Sequence, residues 1–158
     1  MLDGWLPDKH AYDDCADFAH STNVKQATMV FWRVIISFWL VINCLVTFWA
    51  NPDGMMHLFY FFSYWGSIFT GLSFIFSNKA AMQKEKWQWW ACFMSQLAMG
   101  ANFFITPFFW VLIAPELFRK SWSGFNLVIN IHLITTHSVP ILGSLLNVYM
   151  TRDFVMRP

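Results

Sequence analysis

Four apolar runs, 27–50, 57–76, 89–112 and 125–150, take up most of this 158-residue chain, and they settle which solvent it is built for. The hydrocarbon core of a bilayer is about 30 Å thick, and a helix rising about 1.5 Å per residue crosses it in roughly 20 residues. Each run is that long. A segment in lipid must satisfy its own backbone N–H and C=O groups, which makes helices the expected element. The pattern therefore predicts an all-α integral membrane bundle of four transmembrane helices, with both termini on the same side. Residues 1–26 then form a polar, acidic tail, 27–150 the transmembrane domain and 151–158 a short basic tail.

The balance of residue types agrees. The chain is 57% hydrophobic, 20% aromatic and 12% charged, whereas a soluble domain carries about a quarter charged residues. Ten basic against nine acidic residues leave a net charge of +1, so no nucleic-acid partner is expected. Membrane lipids and other membrane-protein chains are the expected partners. The three cysteines, Cys15, Cys44 and Cys92, are odd in number and widely spaced, which predicts unpaired thiols and neither a zinc nor a redox framework. No metal and no cofactor are expected.

Loop charges give the orientation. Lys25, Lys79, Lys84, Lys86, Arg152 and Arg157 fall on the side of the termini, against Arg119 and Lys120 on the other. By the positive-inside rule the termini face the cytoplasm, or the matrix of a mitochondrion. The acidic first 26 residues match neither a secretory signal nor an arginine-rich transit peptide. The organelle stays open between the mitochondrial inner membrane and the endoplasmic reticulum. Arg33, inside the first span, is expected to snorkel to the side of the termini. Asn51, Pro52, Asp53 and Gly54 signal a turn, and Trp87, Trp89 and Trp90 form an aromatic belt where the third span begins.

Polar residues within the spans mark the inward faces, because helices in lipid associate through small residues and hydrogen bonds. In the second span Ser63, Ser67 and Gly71 recur at i, i+4, i+8, with Gly66, Thr70 and Ser73 alongside. The third offers Ser95, Gln96, Asn102 and Thr106 ahead of Pro107, whose missing N–H frees the Phe103 carbonyl. The fourth is the most polar, carrying Asn126, Asn130, His132, Thr135, Thr136, His137, Ser138, Ser144 and Asn147, and an intramembrane ionisable group is a functional hypothesis by default. His132 points roughly 140° away from His137 on a helix, so the two rings are not expected to share a metal or haem. Pro140 frees the carbonyl of Thr136, next to His137.

An acyl hydrolase needs a hydroxyl nucleophile and a base within hydrogen-bond reach. Ser63, Ser67 and Thr70 are candidates for the first role and His137 or His132 for the second. Counted from the same membrane side, Ser67 lies about 15 Å deep and His137 about 18 Å, the better depth match, while Ser63 lies within the uncertainty of the helix ends. Asn130 or a backbone carbonyl, with Thr136 beside it, is left to orient the base.

The stretch Phe59, Tyr60, Phe61, Phe62, Ser63, the residues Phe109, Trp110, Val111 and Ala114, and the stretch Thr136, His137, Ser138, Val139, Pro140 together resemble a known family. It is that of the androgen-induced and androgen-dependent multi-pass membrane proteins, intramembrane threonine hydrolases of fatty acid esters of hydroxy fatty acids. The similarity covers about 59–150. It implies Ser63 at the position of the threonine nucleophile and His137 as the base. The family's six-helix architecture implies two spans beyond the four seen here, supplied by partner chains or by a longer gene product.

Two functions follow as expectations. The first is a structural or accessory subunit of a larger membrane assembly, on a lipid-binding scaffold resembling lipid-ester hydrolases. It is favoured by the short loops, the many lipid-facing aromatics and the two missing family helices. The alternative is an intramembrane serine/histidine hydrolase of fatty acid esters, with Ser63 or Ser67 as nucleophile and His137 as base. Whether the chain is an enzyme is left open between them.

Overall fold

The computed structural model describes Ser21 and residues 23–50, 62–83 and 87–151. The acidic tail, the turn at 51–54, the start of the second run at 57, Lys84, Lys86 and the basic tail all lie outside the described residues. Helix α1 is Gln26–Ala50, α2 is Phe62–Gln83 and α3 is Gln88–Phe108; α3 widens into a π-helical turn, Phe109–Ile113, before α4, Ala114–Arg119. The last helix, α5, is Gly124–Met150. No strand occurs among the described residues, in line with the all-α expectation.

Three stretches are long and apolar enough to cross a membrane: Gln26–Trp49, Gln88–Arg119 and Gly124–Met150. Helix α2 is long enough, at 22 residues, but is diluted by Ser63, Ser67, Thr70, Ser73, Ser77, Asn78 and Lys79. Its place in the bundle explains why. It packs against α1, α3 and α5, so much of its surface meets protein and not lipid.

The packing is inverted relative to a soluble domain. Phe104 is 72% exposed and Trp49 and Val111 are 70% exposed, whereas Arg33, Thr47 and Thr70 are 0% exposed. A water-soluble monomer does not present an apolar surface of that extent, and hydrocarbon removes the incentive to hide it. Small and polar side chains are left to hold the helices together.

Hydrogen bonds place the helix ends. Asn23 Nδ2 donates to the Tyr149 carbonyl at 2.7 Å and Gln26 Nε2 to the Ala81 carbonyl at 3.2 Å, which brings the start of α1 together with the ends of α2 and α5. At this end Lys79 Nζ lies 4.3 Å above the Trp87 ring, and Phe76 stacks on Trp87 at 5.6 Å. The opposite end is marked by Trp49 meeting Phe125 edge-on at 5.7 Å and by Trp122 stacked on Phe118 at 5.5 Å. Gly124, at φ +54°, turns the chain into α5, a backbone conformation that other residues rarely adopt.

Arg33 departs from the expectation that it snorkels. Its guanidinium turns inward: Nε donates to Asn147 Oδ1 at 2.9 Å, Nη2 to Thr151 Oγ1 at 3.2 Å and Nη1 to the Ser77 carbonyl at 3.4 Å. Asn147 in turn donates to Ser95 Oγ at 3.2 Å and Ser77 Oγ at 3.4 Å. Acceptors from α2 and from α5 with its C-cap replace water around the cation, which makes the inward rotamer tenable. This cluster ties all four long helices together at the end that carries the start of α1.

A second cluster sits nearer mid-bundle. Asn102 Nδ2 donates to Thr70 Oγ1 at 2.8 Å and to Ser144 Oγ at 3.2 Å, while Thr70 Oγ1 donates to the Gly66 carbonyl at 2.8 Å. The close approach of α3 depends on Gly66, since a Cβ there would collide with Asn102 Oδ1 and come within 2.8 Å of Ile105 Cδ1. Gly66→Ala should therefore lower stability in detergent by about 1–3 kcal/mol through overpacking. Gly100→Ala, with nothing within 4 Å of the new Cβ, should be neutral or stabilising by up to about 1 kcal/mol from helix propensity. Thermal unfolding of the two variants side by side checks the contrast.

Candidate active site

The third polar cluster joins α1 to α5 and centres on His132. Its Nε2 lies 2.9 Å from Thr47 Oγ1, and its Nδ1 lies 3.2 Å from Asn43 Oδ1. Asn43 and Thr47 are four residues apart and therefore share one face of α1, so a single imidazole from α5 bridges both. Thr135 Oγ1 and Thr136 Oγ1 donate to the same Asn43 Oδ1 at 3.1 and 3.3 Å. Asn43 Nδ2 donates to the Trp39 carbonyl at 3.0 Å, one turn back. The Thr47 hydroxyl also lies 3.0 Å from the Asn43 carbonyl, and Tyr64 of α2 hydrogen-bonds Thr47.

All of these groups are sheltered. Thr47 is 0% exposed, Asn43 5%, Tyr64 6% and His132 7%. Thr47 lies three residues before the end of α1, about 4.5 Å of helical rise. The cluster is therefore close to the end of the bundle marked by Trp49 and Phe125 and far from the Arg33 end.

The residues singled out from sequence are distributed differently. Ser63 is half-buried in the first turn of α2, and no hydrogen bond among the described residues joins it to His137. His137 faces α3. Its ring stacks on Phe109 with centroids 4.1 Å apart and planes 9° apart, and its Nδ1 donates to the Leu133 carbonyl at 2.7 Å. The π-helical turn that begins at Phe109, two residues after Pro107, includes this stacking ring, and such turns add a residue that re-aims the side chains around them. Thr106 Oγ1 donates to the His137 carbonyl at 2.7 Å.

Ser67 Oγ takes the Thr136 carbonyl as acceptor at 3.5 Å, the carbonyl that Pro140 deprives of its helical N–H. Asn130 Nδ2 donates to the Ser121 carbonyl at 3.2 Å and so closes the turn ahead of α5; among the described residues no hydrogen bond joins it to a histidine. Thr136 belongs to the His132 cluster. The two histidines face different helices, α1 for His132 and α3 for His137, as their angular separation requires.

Asn43 and Thr47 were not singled out in the sequence, although they are polar residues at i, i+4 in the most apolar span. That spacing is the available signal. What the sequence does not carry is their pairing with a ring 85 residues away.

In order, the cluster presents a hydroxyl, an imidazole and an amide. A hydroxyl nucleophile held within hydrogen-bond reach of a base, with the base oriented by a third group, is the general arrangement of nucleophilic acyl transfer. Here the third group is neutral. No family model, no curated protein and no solved structure matches this chain.

Proposed function

We propose that the protein is an intramembrane hydrolase of fatty acyl esters in which Thr47 is the nucleophile and His132 the general base. The observation that carries this reading is the 2.9 Å approach of His132 Nε2 to Thr47 Oγ1 inside a bundle with a lipid-facing exterior. As Thr47 Oγ1 attacks the ester carbonyl carbon, His132 Nε2 takes the hydroxyl proton and returns it to the departing alkoxide, leaving an acyl group on Thr47. A water molecule then gives its proton to His132 as it attacks the acyl carbon, and the proton passes back to Thr47.

The substrate class follows from depth. A nucleophile about one helical turn inside the end of α1 meets ester groups at the level where acyl chains join their polar heads. Four spans, with the start of α1 and the end of α5 on the cytoplasmic or matrix side, would open the site toward the opposite leaflet. The resemblance to the androgen-induced and androgen-dependent hydrolases implied Ser63 and His137; Thr47 lies outside the stretch 59–150 that carries it, so the assignment of Thr47 rests on the geometry of the His132 cluster.

A structural or accessory subunit is the second reading, favoured by the complete burial of Thr47 and by the aromatic, lipid-facing surface of α1, where Phe38 is 64% and Trp49 70% exposed. Purified protein in mixed micelles with long-chain fatty acyl esters separates the two. The hydrolase reading expects release of free fatty acid, unchanged in Ser63→Ala. No turnover across esters of varied head and chain would leave the accessory reading standing.

A further inference from the structure

We propose that Asn43 is a positioning residue that sets the tautomer of His132, placing the proton on Nδ1 and leaving Nε2 as the lone pair that faces Thr47. This rests on the hydrolase reading for its catalytic consequence, but the tautomer is a property of the cluster itself.

The argument begins with the amide. Asn43 Nδ2 donates to the Trp39 carbonyl at 3.0 Å, and flipping the amide would set two oxygens against each other there. Its Oδ1 must therefore point toward α5. There it faces the Thr135 and Thr136 hydroxyls at 3.1 and 3.3 Å; the Thr135 hydroxyl also reaches the His132 carbonyl at 3.0 Å, and Thr136 Oγ1 lies 3.5 Å from His132 Nδ1, a longer contact than that of Asn43. An oxygen in that position has no proton to give, so His132 Nδ1, 3.2 Å away, has to be the donor. A neutral imidazole carries one N–H. Nε2 is then an acceptor, and the Thr47 hydroxyl, 2.9 Å away, shares its single proton between that lone pair and the Asn43 carbonyl at 3.0 Å.

With the opposite tautomer the same atoms would be inert. Nε2–H would donate to Thr47, the Thr47 proton would return to the Asn43 carbonyl, and no base would face the hydroxyl. One amide oxygen on α1 thus decides whether the pair is competent, and it does so without a buried negative charge, which hydrocarbon surroundings would penalise heavily.

The experiment is ¹⁵N NMR of the imidazole nitrogens in detergent-solubilised protein, alongside the rate at which a fluorophosphonate probe labels Thr47. Wild type should show His132 protonated at Nδ1. Asn43→Leu should move the proton to Nε2 and slow labelling on the order of 10²-fold, the lower range of a general base's contribution. Asn43→Asp keeps an acceptor oxygen on Nδ1 and should retain the wild-type tautomer, at a cost in stability from the buried carboxylate and the lost bond to the Trp39 carbonyl. Protonation at Nε2 in wild type, or an unchanged tautomer in folded Asn43→Leu, would overturn the role of Asn43. Absence of Thr47 labelling in wild type with the Nδ1–H tautomer intact would overturn the hydrolase reading while leaving the positioning role of Asn43 in place.

Discussion

Thr47→Ala and His132→Asn should each reduce hydrolysis of a fatty acyl ester by about 10⁴-fold, and the double variant should lose no more than either alone. Nucleophile and base act as one unit, so removing either forfeits the contribution of both. His132→Asn keeps a polar side chain between Asn43 and Thr47, so the loss reports on the base and not on a hole in the bundle. His137→Asn serves as the contrast: that ring stacks on Phe109 and donates to the Leu133 carbonyl, and its replacement should leave the rate within about tenfold, the scale of an indirect packing effect of roughly 1.4 kcal/mol. Ester hydrolysis rates of wild type and the four variants, each shown to elute as a single folded species, are the measurement.

Asn147→Leu should be among the most destabilising single changes in the bundle, costing about 3 kcal/mol. Asn147 accepts from Arg33 Nε at 2.9 Å and donates to Ser95 and Ser77, so leucine removes a bond to a buried cation and strands two hydroxyls. A hydrogen bond to a charged group contributes about 1.5–3 kcal/mol, and truncating one partner of a buried charge is far costlier than trimming a neutral pair. Ordinary hydrogen bonds between membrane helices average only about 0.6 kcal/mol. Ser138→Ala, which removes the acceptor of Trp110 Nε1 at 3.2 Å on the exposed surface, should fall at that lower level. Thermal unfolding in a single detergent ranks the two.

Both sets of variants probe the same design. Three polar clusters are spaced along the inside of an apolar bundle, centred on Arg33, on Asn102 and on His132. The first two are sets of hydrogen bonds among neighbouring helices, and they explain why these helices pack as they do. The third pairs a hydroxyl with a base and is the one on which the proposed chemistry rests.

Much of this was legible in the residues. The helices of the first, third and fourth runs followed from run length, because crossing hydrocarbon imposes about 20 residues whatever the fold; the second run, read as 57–76, extends as a helix to Gln83 and is too polar to stand with those three as a span. The inward placement of Ser67, Thr70, Ser73, Asn102, Thr136, Ser144 and Asn147 followed from the small cost of hiding apolar groups in lipid, which leaves polar groups to define the interior. Depth was readable too: Ser67 does sit on the carbonyl of Thr136, one residue from His137.

What depth cannot supply is azimuth. His137 lies at the right level but turns toward Phe109, and His132 turns toward α1, because the rotation of each helix about its axis is set by packing between distant segments. Arg33 illustrates the same limit. Its position near the end of α1 invites a snorkelling rotamer, and only the acceptors contributed by Ser77, Asn147 and Thr151 make the interior the better solvent. The pairing of α1 with α5, not any property of α1 alone, converts Asn43 and Thr47 from two polar residues in an apolar run into members of a site.

The most direct measurement is the location of the adduct. Wild-type protein incubated with a fluorophosphonate and digested for mass spectrometry should carry the phosphonyl group on Thr47, with no adduct there in His132→Asn. An adduct on Ser63 or Ser67, or undiminished modification of Thr47 without His132, would contradict the account.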